Sequence, residues 1–149
     1  VDKINDIAKE NKLVAMVGHT FLFNSAVQYV KKLIDDGGLG NIRYIYSQRL
    51  NLGRIRDDVD ALWNLAPHDI SIVQYILGDP EPIAVNKIGE SYVQKGIDDV
   101  VFLNIKYSDN VMTNIHVSWL DPHKVRSITV VGSKKILFRS VWGPLSYYY

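Results

Sequence analysis

At 149 residues the chain has the size of one domain and can bury a core, since chains of this length typically take roughly 68–70% of their unfolded surface out of water. Apolar content of 47% against 22% charged residues excludes a disordered chain, and a net charge of +1, with Lys and Arg scattered outside the pairs Lys31-Lys32 and Lys134-Lys135, excludes a nucleic-acid-binding face. The absence of cysteine rules out disulfides and thiolate metal sites and suits a cytoplasmic protein, and no apolar run is long enough for a membrane span.

Asp2 can cap a first helix with Ile4, Ile7 and Ala8 on one face and a stop at Asn11. The continuously apolar "LVAMV", Leu13 to Val17, then reads as a strand buried on both faces, the kind found in parallel sheets. A single such strand after a single helix cannot build a parallel sheet, so this start reads as the end of something larger. Ser25 with Gln28 matches a capping box, and Val27, Val30 and Ile34 form the inward stripe of a helix that "DDGGLG" terminates. A strand over Ile42–Leu50 follows, then a polar, aperiodic loop from Asn51 to Asp60 that could carry function.

In "WNLAPHDIS" Pro67 suits the first turn of a helix, so the spacing predicts a start near 64–67, with Ile70, Val73 and Leu77 facing inward and Gly78 at the end. Beyond it lie the strands "PIAVNKIGESYV", "DDVVFLNIKYS", "VMTNIHVSWL" and "KVRSITVVGSKKILF", two of them joined by a Ser108-Asp109-Asn110 turn. The predicted fold is α+β, an open, mostly antiparallel sheet with helices on one face. The uncharged end "SVWGPLSYYY" either folds back on that sheet or marks a cut chain.

The candidate chemistry starts at this proline-containing helix. A carboxylate at Asp69 suits a helix N-terminus, whereas imidazolium there is disfavoured, so His68 would stay neutral and able to accept a proton. If the preceding turn is already helical, Asn64 and His68 share a face and could hold one substrate hydroxyl between them. The residues alone favour the plainer reading, with Asn64 as a cap and His68 as a partly buried, hydrogen-bonded structural residue. No P-loop or dinucleotide fingerprint is present, and His68-Asp69 with His19, His116 and His123 lacks the spacing of a metal site. His19 stands just past the end of the apolar run, at the edge where open α/β sheets bind ligands.

Three stretches, "ENKLVAMVGHTFLFNSAVQYVKKLIDDGGLGNIRYIYSQR", "ALWNLAPHDISIVQYILG" and "HVSWLDPHKVRSITVVGSKK", resemble the Gfo/Idh/MocA oxidoreductases, the glucose-fructose oxidoreductase and inositol dehydrogenase family. The resemblance runs from about Val1 to Phe138 and implies an enzyme that transfers hydride between NAD or NADP and a sugar, nucleotide sugar or related polyol. It implies that residues 1–20 are the last helix and strand of a Rossmann domain. Residues 21–149 are then a C-terminal α+β domain, truncated at its end, whose sheet face commonly forms a homo-oligomer.

The family's glycine-rich fingerprint and its Glu-Lys-Pro motif would lie upstream of Val1, so the chain alone is expected to be inactive and to bind cofactor weakly. The family's aspartate and histidine, four residues apart, fall on Asn64 and His68, a departure that leaves His68 as the acid/base group, since an amide cannot shuttle a proton. The same resemblance suggests His19, Asn24 and Arg54 as substrate contacts. The competing expectation is a non-catalytic sheet-forming module that self-associates or holds a small ligand.

Overall fold

The computed structural model describes residues 2–140 and 146–148. Three α-helices, α1 (Asp2–Glu10), α2 (Ser25–Asp35) and α3 (Ala61–Leu77), accompany seven strands: β1 (Ile42–Leu52), β2 (Pro82–Glu90), β3 (Val100–Tyr107), β4 (Met112–Ser118), β5 (Leu120–Gly132), β6 (Ile136–Ser140) and β7 (Ser146–Tyr148). The strands form one open sheet in the order β2-β3-β4-β1-β5-β6-β7. Every pairing is antiparallel except β1 with β4, so the predicted α+β class and mostly antiparallel sheet are observed.

Alternation along the strands explains which face is covered. On one side Ile45 of β1, Val101 and Leu103 of β3, Ile115 and Val117 of β4, Val130 of β5 and Leu137 of β6 are buried. They pack under Val30 of α2 and Ala66, Val73 and Ile76 of α3, so both helices lie on that face. The other face is open, and registered rows cross it: Ile88, Phe102, His116 and Gln48 in one, Asn86, Asn104, Asn114 and Tyr46 in the next. In these rows His116 stacks on Phe102 at 4.2 Å and Asn114 donates to Asn104 Oδ1 at 2.8 Å.

Four expectations change. The run Leu13 to Val17 is no buried strand: it is irregular, and Leu13, Val14, Met16 and Val17 are exposed. A strand needs a partner for its amides and carbonyls, and none of the described residues pairs with this run. The cap of α2 is Asn24, whose Oδ1 accepts from the Ala26 amide at 2.9 Å, so Ser25 is the first helical residue and the capping box does not form.

The proline-containing helix begins three residues before the predicted window, because Asp60 accepts from the Trp63 amide at 2.8 Å and the Ala61 amide donates to the Asp98 carbonyl at 2.9 Å. Pro67 consequently lies inside α3, where it denies the Trp63 carbonyl its helical donor. Trp63 is exposed, so solvent can serve that carbonyl. The stretch "KVRSITVVGSKKILF" is two strands, β5 and β6, parted by a turn at residues 133–135.

The Ser108-Asp109-Asn110 turn stands as expected, with Asn110 in the left-handed region and its amide bonded to the Tyr107 carbonyl. Of the uncharged end, residues 141–145 and 149 lie outside the described residues, while Ser146–Tyr148 pairs with β6. No helix among the described residues is long and apolar enough to cross a membrane.

Candidate functional site

The early start of α3 decides the geometry of the site. With Asp60 as cap, the turn holding Asn64 is helical, and Asn64 and His68 lie one turn apart on one face, both half-buried. Asn64 Oδ1 accepts from the indole Nε1 of buried Trp119 at 3.3 Å, which fixes the amide beside the histidine. Asn64 is therefore not a cap, and its side chain is held from the sheet side.

His68 is packed edge-on against Phe21, with ring centroids 5.1 Å apart and an interplanar angle of 66°. Phe21 belongs to the short 3₁₀ turn Thr20–Phe23 between α1 and α2. Its ring also receives the Arg49 guanidinium, whose central carbon stands 4.7 Å from the ring centroid. Arg49 in turn donates from Nε to Asp69 Oδ2 at 2.5 Å, an ion pair buried at both ends.

These surroundings set the protonation of His68. Its pKa is lowered from 6.5, first by burial and next by the positive charge of Arg49; Asp69 opposes the shift, and His19 and Arg126 add to it. The imidazole is thus neutral at pH 7, as the sequence suggested, but for another reason. His68 is the eighth residue of α3, beyond the first turn where the helix dipole acts, and desolvation with a nearby guanidinium replaces the dipole as the cause. A neutral imidazole beside a carboxamide can take a proton from a hydroxyl that the amide orients.

The other proposed contacts divide. His19 lies close enough to His68 to influence its proton and holds an unusual backbone conformation, φ 28, as it opens the 3₁₀ turn. Asn24 is exposed and uses its carbonyl oxygen as the α2 cap, so its side chain is committed to the backbone. Arg54 is exposed in a separate cleft with Arg56, Asp58 and Gln94, and the structure does not bring it to His68.

Asp69, read as a helix-start carboxylate, is instead the buried partner of Arg49. Arg49, Phe21 and Trp119 were missed. Arg49 alone carried a signal: in β1 it shares the inward parity of Ile45 and Ser47, where a charge must find a partner.

Two cavities flank α3. One of about 780 Å³ runs between α3 and strands β2 and β3, lined by Trp63, Pro67, Ser71 and Tyr107, and reaches the site through His19. A smaller one of about 120 Å³ lies between α2, α3 and β5, lined by Arg49, Asp69 and Arg126. Among the described residues no group of three His, Asp or Glu side chains could hold a metal ion. Nor do they offer a glycine-rich strand-to-helix turn to cradle a dinucleotide.

Residues 27–138 match the model of the GFO/IDH/MocA C-terminal domain. A 2,7-anhydro-N-acetylneuraminate hydratase of Mediterraneibacter gnavus is 29% identical over 124 residues, which is 73% of this chain and 33% of that protein. The chain spans about a third of the length of the curated relatives it matches.

Among solved structures, the UDP-N-acetylglucosamine 3-dehydrogenase GnnA of Acidithiobacillus ferrooxidans superposes with a TM-score of 0.82 at 23% identity, over 99% of this chain and 48% of the other. An inositol dehydrogenase homologue of Azotobacter vinelandii, complexed with NADH and myo-inositol, gives 0.80 at 16% identity, over 99% and 45%. At these identities the superpositions establish the fold.

Proposed function

The chain belongs to the Gfo/Idh/MocA family, matched over 112 of its residues by the family's C-terminal domain, and from that premise we propose that it forms the substrate-facing part of an NAD(P)-dependent oxidoreductase acting on a sugar, nucleotide sugar or related polyol. The observation that carries this reading is His68: a half-buried imidazole, kept neutral by burial and Arg49, one helical turn from a carboxamide that Trp119 holds in place. In this reading His68 exchanges the proton of the substrate hydroxyl, Asn64 orients that hydroxyl, and His19 approaches from the 3₁₀ turn. The relatives' own names support the substrate class, since they are enzymes of sialic acid derivatives and UDP-N-acetylglucosamine.

Since the described residues do not fit a dinucleotide cradle, NAD or NADP belongs to a separate domain, of which residues 1–20 are the closing helix and an apolar run that becomes a strand beside that domain's own strands. The exposure of Leu13, Val14, Met16 and Val17 supports this, because an apolar run of that length is stable beside partner strands. The 149 residues by themselves are accordingly inactive and bind NAD(H) weakly, and their lack of cysteine suits an enzyme of the cytoplasm. The open sheet face, with Tyr44, Tyr46, Phe102 and Met112 exposed, supports a homo-oligomer built by pairing that face. It is also the feature that favours the second reading, a non-catalytic sheet-forming module.

Substitution separates the two. In the enzyme that carries this chain, His68→Ala lowers kcat by about 10²–10⁴ if the imidazole moves the proton. Turnover within a few-fold of the parent would remove His68 from the chemistry and favour the module.

A further inference from the structure

The smaller cavity gathers three guanidinium groups around one carboxylate. Arg49 of β1 and Arg126 of β5 are register partners, directly opposite each other on the helix-covered side of the sheet, a placement in which like charges repel. Arg139 of β6 pairs with Ile128 and lies diagonally from Arg126, so a third guanidinium lines the same cavity. Asp69 is the one carboxylate in the lining, and it is bound to Arg49. Arg126 makes no hydrogen bond or ion pair with the described residues.

The N-terminus of α2 closes the cavity through Asn24, Ala26 and Val27, and its first turn contains no acidic residue to offset the dipole. A volume of about 120 Å³ suits a carboxylate or a phosphate group.

We infer that this cavity is a subsite for an oxyanion carried by the substrate, seated by Arg126 and Arg139 at the N-terminus of α2, next to the Arg49-Asp69 pair. Calling the anion part of a substrate rests on the reading of His68 as the proton-exchanging group; the binding of an oxyanion here does not. Arg49 occupies both places: it lines the cavity and faces Phe21, which packs on His68. The inference therefore narrows the substrate to an acidic one, either a sugar acid or a sugar phosphate or nucleotide sugar.

The test is a ¹⁵N-resolved NMR titration of the 149-residue chain at constant ionic strength with glucuronate, inorganic phosphate, myo-inositol and sodium chloride. Saturable shifts of the amides of residues 24–27 and 126–128 are expected with glucuronate or phosphate and not with myo-inositol or chloride; the tighter anion identifies the group. Arg126→Gln weakens that binding by roughly 10- to 100-fold, the loss expected for a hydrogen bond to a charged partner, and Arg126→Lys restores part of it. If Arg126→Gln does not fold, the wild-type shift map decides.

Shifts no larger than those from chloride, or binding by Arg126→Gln equal to wild type, overturn the inference. His68→Ala retains the anion, so a failed proton role and a failed subsite give different results.

Discussion

The buried pair Arg49-Asp69 joins the helix to the sheet at the candidate site, and a double-mutant cycle measures what it does. Both side chains are only 7% exposed, so removing one partner leaves a charge that water cannot reach. Asp69→Asn keeps the shape but takes the counter-charge from Arg49, which has a ring face at 4.7 Å and no other carboxylate in the cavity. Breaking such a pair costs about 3–5 kcal/mol, a large part of the roughly 5–15 kcal/mol that holds a domain folded.

Arg49→Met costs a similar amount by stranding Asp69. The double variant Arg49→Met with Asp69→Leu removes both desolvation penalties and is expected near the parent or above it. Urea unfolding followed by tryptophan fluorescence supplies the four free energies. Single losses below about 1 kcal/mol, or a double variant as unstable as the sum of the singles, would refute a pair whose role is to neutralise buried charge.

Arg49→Met also tests the cause of the His68 shift: with the guanidinium gone, the pKa read from ring proton resonances rises toward 6.5, and no change would remove Arg49 from the causes. Because the folded pKa lies below the unfolded one, His68 is neutral in both states above pH 6.5 and carries no penalty there. As pH falls below 6.5 the unfolded chain takes the proton first, so stability drops until the folded pKa is passed, and His116, shifted the same way by burial, adds to that drop.

A urea midpoint that climbs on acidification through this window would contradict both shifts. Asp60→Ala removes the α3 cap and is expected to cost about 1 kcal/mol by thermal unfolding; no loss would mean the Ala61-Asp98 backbone bond fixes the helix start unaided. Tyr46→Asp in the middle of the open face lowers the mass seen by light scattering if that face pairs copies, and an unchanged mass would place the contact elsewhere.

Alternation of period 2 made the strands and their covered face legible, because burial on one side leaves a direct imprint on sequence. The turn at Ser108 to Asn110 was equally plain, since only a few residues take the left-handed conformation that Asn110 adopts. What failed was decided by groups distant in sequence. Pro67 looked like a helix start because the local cost of proline inside a helix is real, yet Asp60 and the Asp98 carbonyl fix the start earlier and solvent near Trp63 reduces that cost. Asp69 looked like a dipole partner because Arg49, 20 residues away, enters only when β1 is laid beside α3. The run Leu13 to Val17 was read from its composition, whereas a strand exists only where another strand supplies its hydrogen bonds.

In the proposed role of His68, the asparagine at position 64, where the resemblance places the family's aspartate, would determine how a proton is handled. The carboxylate near His68 is Asp69, and its Oδ2 is bound to Arg49; it favours the charged ring, but burial and Arg49 outweigh it, with His19 and Arg126 adding to them. In the proposed role, His68 would therefore be a base that gives its proton up readily, to bulk water or back to the substrate, without storing it. Asn64→Asp would place a carboxylate one turn away on the same helix face while keeping an acceptor for Trp119 Nε1.

An opposite charge at that distance favours the protonated ring, so the His68 pKa rises and the acid limb of any pH–rate profile moves to higher pH. NMR titration of the ring in wild type and Asn64→Asp reads the shift directly. A pKa that stays put or falls would mean that side chains at 64 and 68 do not face a common point, and the pairing on which the proton role depends would be lost.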